Sequence, residues 1–215
     1  MVQVTPRAVQ KQQTRRLLLS TALRLMEHQS LGSLSLREVT RAAGLAPAAF
    51  YRHFPDMDRL GVALVEESLE PLRAALRAVR VGLSDSDEII RQSVALLSST
   101  VRANRGWFRF VARERHGQIP LVRLAIRDQL RGFADELARD LLAGPVGAVV
   151  RLGEWPAADV QMLTQLAVNQ MVVTAAALLD PPEDDPAAEA VILATATTQL
   201  RLIVVGARHW LDRDT

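Results

Sequence analysis

The side chains with the clearest chemical potential lie in one short stretch, residues 35–54, and they are hydrogen-bond donors rather than nucleophiles or metal ligands. Arginine, tyrosine and histidine donate hydrogen bonds to phosphate oxygens, and the arginine fork also bonds O6 and N7 of guanine. The residues of this stretch that we predict to be exposed are Arg37, Thr40, Arg41, Pro47, Ala48, Ala49, Tyr51, Arg52 and His53. This set predicts contact with a nucleic acid.

Two short helices joined by a tight turn must position these donors. Ser35 and Glu38 form a capping-box pattern, which predicts that a helix begins at Leu36. Gly44 is predicted to end this helix because glycine adopts a left-handed conformation without a Cβ clash, and Pro47 suits the first turn of the next helix. Such a pair places its second helix in the major groove of DNA. A helical hairpin with no nucleic-acid role is the alternative.

The composition removes most catalytic chemistry. The chain has no cysteine, which excludes disulfides, thiolate nucleophiles and cysteine-bound metals. Its only lysine is Lys11, outside any phosphate-binding glycine loop. The four histidines show no paired metal spacing, and neither a GxSxG nor an HExxH pattern is present. We therefore expect a protein that is not an enzyme and that has no cofactor and no metal site.

Positive charge is concentrated at the amino-terminal end. The 215 residues carry a net charge of +2, yet residues 1–59 have nine basic and four acidic side chains, whereas residues 60–215 have seventeen basic and twenty acidic ones. This asymmetry indicates that the amino-terminal part meets a polyanion. A solvated basic surface without a partner is the alternative.

Apolar residues recur at helical spacing along nearly the whole chain, which predicts an all-α fold. We predict about nine helices, at 8–28, 36–42, 47–53, 57–80 with a kink at Pro71, 86–103, 105–115, 119–142, 157–179 and 186–211. The predicted loops are 143–156 and 180–186. We predict that the helices divide into a helix-turn-helix DNA-binding domain, residues 1–56, and a larger helical domain, residues 57–215.

Neither a membrane span nor a secretory signal is expected. Residues 1–16 are polar and basic and lack the apolar region of a signal peptide. The most apolar tracts, residues 166–179 and 191–207, are interrupted by polar side chains and fall short of the roughly 20 apolar residues of a spanning helix. The expectation is a cytoplasmic protein without a membrane partner.

At residues 36–54 the sequence resembles a known family. The run LREVTRAAGLAPAAFYRHF, followed by the apolar Leu60, is similar to the amino-terminal signature of the TetR family of bacterial transcriptional regulators. This resemblance implies a homodimer that binds a palindromic double-stranded DNA operator through the helix beginning at Pro47. Two positions depart from the family pattern. Ala46 stands where a Ser or Thr usually caps the recognition helix, and Met57 stands where a Lys is usual.

Three longer runs resemble one branch of this family. FYRHFPDMDRLGVALVEES, FVARERHGQ and TTQLRLIVVGARHW are similar to the FabR and DesT branch, repressors of unsaturated fatty-acid synthesis or desaturation that respond to acyl-CoA. This resemblance implies acyl-CoA, or a similar long apolar molecule, as the effector. The alternative is a repressor of an efflux or catabolic operon that responds to another apolar small molecule. A protein-interaction module without a DNA role is the remaining rival.

The middle of the chain is expected to bind the effector and the last helices to form the dimer. The predicted ligand-binding residues are Trp107, Phe108, Phe110, Val111, Arg113, Phe133, Met162, Leu166 and Met171, and ordinary core packing is the alternative for each. A basic cluster of Arg105, Arg109, Arg113, Arg115 and His116 suits a phosphate-rich head, unless it is a solvated face partnered by Glu114. The predicted dimer stripes are Val168, Val172, Ala175, Ala176 and Leu179 with Ala194, Thr198, Leu202 and Val205, unless they are buried within the monomer.

Overall fold

The computed structural model describes residues 6–180 and 185–211, and over these residues the chain is helical without strands, which confirms the predicted all-α fold. The ten α-helices are α1 (Pro6–Leu25), α2 (Leu36–Ala42), α3 (Pro47–Tyr51), α4 (Met57–Gly82), α5 (Ser86–Ala103), α6 (Arg105–Glu114), α7 (Pro120–Ala143), α8 (Pro145–Val149), α9 (Ala157–Ala177) and α10 (Pro186–Arg208). Single 3-10 turns occur at Leu31–Ser33 and Leu152–Glu154.

The prediction of a loop over residues 143–156 is wrong for its central part, which contains a short helix and a 3-10 turn. Pro145 begins the short helix α8, where a proline without an N–H suits the first helical position. Arg151 then turns the chain with a left-handed φ of 54° before the second 3-10 turn. The other predicted loop, 180–186, falls mostly outside the described residues. Pro71 lies inside α4 and supplies no N–H for a helical hydrogen bond.

The described residues fall into two compact units. The amino-terminal unit contains the described residues through Ser68 together with Arg109–Arg127, and the second unit contains Leu69–Phe108 and the described residues from Asp128 onward. These units are defined by contacts within the folded chain. The predicted functional domains, residues 1–56 and 57–215, have a different boundary and stay a prediction.

In the amino-terminal unit, a glycine lets helix α4 approach two neighbours. A Cβ at Gly61 would overlap the side chains of Leu31 and Val122. Leu31 and Val122 are themselves buried, as are Leu60 and Leu64 on either side of the glycine. Gly61 therefore weakens the intrinsic helix propensity of α4 but permits close packing around the first 3-10 turn.

The second unit is built around helices α5, α9 and α10, which pack against one another. Ile90 and Val94 of α5 meet Ala196 and Leu200 of α10 in a buried cluster. On another side of the unit, Arg73 Nε donates a hydrogen bond to Glu136 Oε2 at 2.7 Å. This bond holds the pKa of Glu136 below its usual value. The unit thus combines an apolar centre with an ion pair that links α4 to α7.

Among the described residues, helix α10 is the one that is long and apolar enough to cross a membrane by length and composition. It is longer than the apolar tract visible in the sequence because it begins at Pro186. Only 17% of its most apolar window is buried. An apolar helix that packs on one face and exposes the other requires a cover for the exposed face.

Candidate nucleic-acid interface

Helix α2 begins with the predicted capping box. Ser35 Oγ accepts a hydrogen bond from the Glu38 backbone N–H at 3.2 Å, and Glu38 Oε2 accepts one from the Ser35 backbone N–H at 2.8 Å. The hydrogen bond from the Ser35 side chain is the largest cause that lowers the pKa of Glu38. The side chains thus satisfy two backbone donors that the first helical turn leaves free.

The turn between α2 and α3 depends on one left-handed residue. Gly44 has φ +67°, as predicted, and is the only glycine among the described residues with positive φ. The turn closes with a hydrogen bond from the Leu45 N–H to the Thr40 carbonyl at 2.8 Å. Helix α3 then begins at Pro47, with Ala46 as an N-cap that makes no side-chain bond. The helix pair is therefore set by backbone conformation and by one cap rather than two.

Replacing Gly44 by alanine is expected to lower the free energy of unfolding by about 1–2 kcal/mol, because a Cβ clashes with the backbone in the left-handed region. The Cβ itself would meet no atom within 4 Å, so the loss isolates backbone strain. Gly32→Ala is the matched control, since its Cβ also meets nothing within 4 Å and its φ is ordinary. Urea unfolding of both variants measures the difference, and equal midpoints would contradict the strain argument.

Most of the predicted DNA-contacting residues are accessible. Six are exposed: Arg37, Arg41, Pro47, Ala48, Tyr51 and Arg52. Ala49 and His53 are half-buried. Thr40 is a correction, because only 2% of it is exposed and its hydroxyl donates to the Leu36 carbonyl at 3.0 Å. The Thr40 side chain is therefore not among the accessible groups of this stretch.

Aromatic packing fixes the end of helix α3. Phe50 is fully buried, and its ring centroid lies 5.6 Å from that of Phe54. Tyr51 packs edge-on against Phe50 at 5.9 Å and is 62% exposed. The buried rings anchor the helix, and the neighbouring tyrosine projects away from them, where its hydroxyl can reach a phosphate.

Arg15 joins helix α1 to this aromatic group. Its guanidinium lies 4.8 Å from the Phe54 ring centroid, and its Nη2 is 2.9 Å from Glu67 Oε1 on α4. Beside it, the pKa of His53 is lowered by burial first and then by the positive charges of Lys11, Arg15 and Arg52. Positive charge from α1 therefore reaches the carboxyl end of helix α3.

Arg113, for which effector contact stays a prediction, contacts the backbone after helix α1. Its Nη1 donates hydrogen bonds to the carbonyl oxygens of Met26 and Gln29, both at 2.8 Å. The adjacent Glu114 is 2% exposed and accepts a hydrogen bond from the Leu31 N–H at 3.1 Å. We name Arg113 and Glu114 the α6 clamp. Sequence reasoning treated Glu114 only as a partner of the basic cluster and missed its buried hydrogen bond to the backbone.

The other predicted effector contacts divide between the units. In the amino-terminal unit, Phe110 is buried and Val111 is half-buried. In the second unit the residues are Phe108 and Phe133, both buried, Trp107 and Met171, both half-buried, and Met162 and Leu166, both exposed. Met171 packs against the α5 and α10 cluster. A shared effector cavity stays a prediction, and the exposure of Met162 and Leu166 favours another role for those two.

Within the predicted basic cluster, the first arginine also serves the backbone. Arg105 donates to the carbonyl oxygens of Leu178 and Leu179, at 3.2 and 2.9 Å. These carbonyls lie at the carboxyl end of helix α9, which attracts positive charge. Arg109 and His116 are exposed. Binding of a phosphate-rich head by this cluster stays a prediction. Arg105 and Arg113 already donate hydrogen bonds to backbone carbonyls.

Comparison with known proteins agrees with this arrangement. Residues 18–64 match the family model described as bacterial regulatory proteins, tetR family. FadR from Bacillus subtilis in complex with stearoyl-CoA is 15% identical, with 89% of this chain and 98% of that chain covered and a TM-score of 0.70. The fatty acid degradation regulator FadR from Bacillus halodurans is 14% identical, with 91% and 94% covered and a TM-score of 0.64. RolR in complex with resorcinol is 22% identical, with 96% of both chains covered and a TM-score of 0.54.

At these identities the solved structures show likeness of fold. The family model, by contrast, covers the helix-turn-helix whose cap, turn and aromatic anchor are described above. Residues 18–64 are thus similar to the tetR family model, and the longer chain shares its fold with the solved structures. These matches do not distinguish the FabR and DesT branch from other members of the family.

Proposed function

We propose that this chain is a ligand-responsive transcriptional repressor that binds a palindromic DNA operator as a homodimer and controls unsaturated fatty-acid synthesis or desaturation in response to acyl-CoA. The observation that carries the DNA-binding part is the helix-turn-helix with Tyr51 and Arg52 exposed beside a buried aromatic anchor. One such module offers few contacts, so tight binding needs two copies that read half-sites about one helical turn apart.

Exposed apolar side chains on the last two helices support the homodimer. On α10 the most exposed large apolar residues are Val191, Leu202 and Val205, and at spacings of 11 and 3 residues they share one face with Ala194 and Thr198. On α9 the exposed ones are Met162, Leu166 and Val173. We name these two rows the dimer stripes. A second copy of the chain would cover them.

The dimer stripes differ in part from those predicted. Ala175 is buried within the second unit, and Val168, Val172 and Leu179 are half-buried, so none of these four belongs to an exposed row. Met162 and Leu166, predicted to contact effector, take their place on α9. The difference arises because helix α9 buries its other face against α5 and α10.

The effector class rests on the three runs that resemble the FabR and DesT branch and on the fold shared with a FadR that binds stearoyl-CoA. Within the second unit, Gln129 lies one turn before the buried Phe133, and its Oε1 is buried without a hydrogen-bond partner. A buried acceptor of this kind favours a ligand that brings a donor, such as an amide of the CoA arm. The fold shared with RolR, which is bound to resorcinol, favours a small apolar effector of a catabolic operon as the second candidate.

The direct test is binding to the DNA upstream of the chain's own gene by fluorescence anisotropy, at two salt concentrations. The measurement is made without ligand, with a saturated acyl-CoA and with an unsaturated acyl-CoA. We expect salt-dependent binding whose affinity the two acyl-CoAs change to different extents. Binding that ignores both acyl-CoAs but responds to resorcinol-like compounds would favour the second candidate. Absence of salt-dependent binding would contradict the DNA-binding proposal.

Two neighbouring residues on the recognition helix are expected to separate affinity from specificity. Tyr51→Ala removes a phosphate donor and should weaken binding to all sequences alike. Arg52→Ala removes a base-reading fork and should shift the preference among operator variants by about 1–3 kcal/mol. Arg91→Ala, an exposed arginine of the second unit, is the control. Binding to a library of operator variants measures both effects, and an unchanged preference profile for Arg52→Ala would contradict its assignment.

A further inference from the structure

The beginning of helix α1 is a basic surface that the proposed function does not use. Every residue from Arg7 to Gln13 is exposed, so about two helical turns have no packing role. Helix α1 contains no acidic residue, and the first acid along the chain is Glu27. An exposed, uniformly basic helical segment is an electrostatic partner for a polyanion.

The basic side chains at the start of α1 lie on one face. Arg7, Lys11 and Arg15 are spaced four residues apart, which places them above one another along the helix. We name them the α1 basic row. Arg16 lies about 180° around the helix from Arg7, at 100° per residue. The chain therefore offers a basic residue on the same helix but outside the row.

The last member of the α1 basic row, Arg15, lies next to the end of helix α3. Arg15 stacks on Phe54, and the Phe54 ring centroid is 6.4 Å from that of His53. The ion pair with Glu67 occupies Arg15, whereas Arg7 and Lys11 make no ion pair with a carboxylate among the described residues. The two outer members of the row therefore keep their charge available, and the charge of Lys11 already acts on His53 at the end of α3.

We propose that the exposed start of helix α1 is a second DNA-contacting element, in which Arg7 and Lys11 bind backbone phosphates beyond the base pairs read by α3. The inference rests on the proposed DNA-binding function. From Arg15 to Arg7 the helix rises about 12 Å, at 1.5 Å per residue. This rise equals the length of three to four base pairs, at about 3.4 Å each. The row therefore reaches phosphates next to the half-site and adds affinity without reading sequence.

The composition of this segment favours DNA over a lipid surface. A membrane-bound helix needs an apolar face opposite its basic one. In the exposed turns of α1 the large apolar side chain is Val9, and the other positions include Gln10, Gln12 and Gln13. Such a segment contacts phosphate oxygens through charge and amide donors, which suits the backbone of a duplex.

The test compares the double variant Arg7→Gln/Lys11→Gln with Arg16→Gln on one duplex that contains the operator and its flanks. The logarithm of affinity is plotted against the logarithm of salt concentration. The proposed homodimer carries two copies of the row, so the double variant loses four phosphate contacts and the slope should become shallower by about 3.6. Between 50 and 200 mM salt the wild-type chain should then lose about 150-fold more affinity than the double variant. Arg16→Gln should keep the wild-type slope. Circular dichroism confirms that all variants stay helical.

A second arm uses duplexes trimmed by four base pairs on each outer side of the operator. Trimming should weaken the wild-type chain and leave the double variant unchanged. If the wild-type chain binds with a salt-dependent slope that the double variant reproduces, the α1 contact is overturned while the proposed function stands. An equal slope change for Arg16→Gln would also overturn it. If the wild-type chain does not bind DNA at all, the proposed function itself fails.

Discussion

Leu202→Glu is expected to convert the proposed homodimer into a monomer and to weaken operator binding by a hundredfold or more. Leu202 is 70% exposed in the single chain, so the substitution leaves the fold intact. In the proposed dimer it lies within the dimer stripe of α10, and an unpaired carboxylate buried there costs about 3–5 kcal/mol. A loss of about 2.7 kcal/mol already corresponds to a hundredfold in affinity. The large effect follows because each half-site alone binds weakly.

The matched control for this prediction is Ala190→Glu. Ala190 is exposed on the same helix and lies about 120° around it from Leu202. Sedimentation equilibrium measures the oligomeric state, and anisotropy titrations measure operator affinity as protein concentration varies. A Leu202→Glu protein that stays dimeric would contradict the placement of the dimer stripe. A monomer that binds the operator as tightly as the wild-type chain would contradict the need for two copies.

The helix-turn-helix could be predicted from the sequence because its determinants are local. Ser35 and Glu38 are three residues apart, and the cap they form needs no other part of the fold. Gly44 and Pro47 act through their own backbone preferences. Such signals survive in any tertiary context. The helix boundaries of α2 were therefore predicted at the observed residues.

Residue roles that depend on distant packing could not be predicted. Thr40 is predicted to be exposed from the helix-turn-helix pattern, yet it is buried in the folded chain. Arg113 and Glu114 read as surface charges because their partners, in the Met26 to Leu31 segment, are more than 80 residues away in sequence. Helical periodicity tells which face is apolar and gives no information on which backbone group a long polar side chain will reach.

Removing the α6 clamp is expected to have the second-largest effect, after disruption of the proposed dimer. It should lower both the stability of the amino-terminal unit and operator affinity. Glu114→Ala removes the acceptor for the buried Leu31 N–H and leaves a cavity, so we expect a loss of about 3 kcal/mol in the free energy of unfolding. Glu114→Gln keeps an oxygen in reach of Leu31 and should lose about 1 kcal/mol. Because Leu31 begins the turn that leads to the cap of α2, operator affinity should fall as well. Urea unfolding and anisotropy measure the two effects.

A substitution at a neighbouring glycine can displace the Glu114 carboxylate while Glu114 itself is kept. This variant tests whether the position of the carboxylate affects operator binding. A Cβ at Gly117 would overlap Glu114 Oε2, whereas a Cβ at Gly153, in the second unit, would meet no atom within 4 Å. Gly117→Ala should therefore reproduce the loss of operator affinity, and Gly153→Ala should not.

Leu97→Ala, a core truncation in the second unit, separates positioning from general stability. It should lower the free energy of unfolding by about 2–5 kcal/mol yet leave operator affinity unchanged in the folded protein. If Leu97→Ala weakened operator binding as much as Glu114→Ala at equal stability, the clamp would have no positioning role. A selective loss in Glu114→Ala and Gly117→Ala would mean that the buried carboxylate of α6 sets the geometry from which the recognition helix meets DNA.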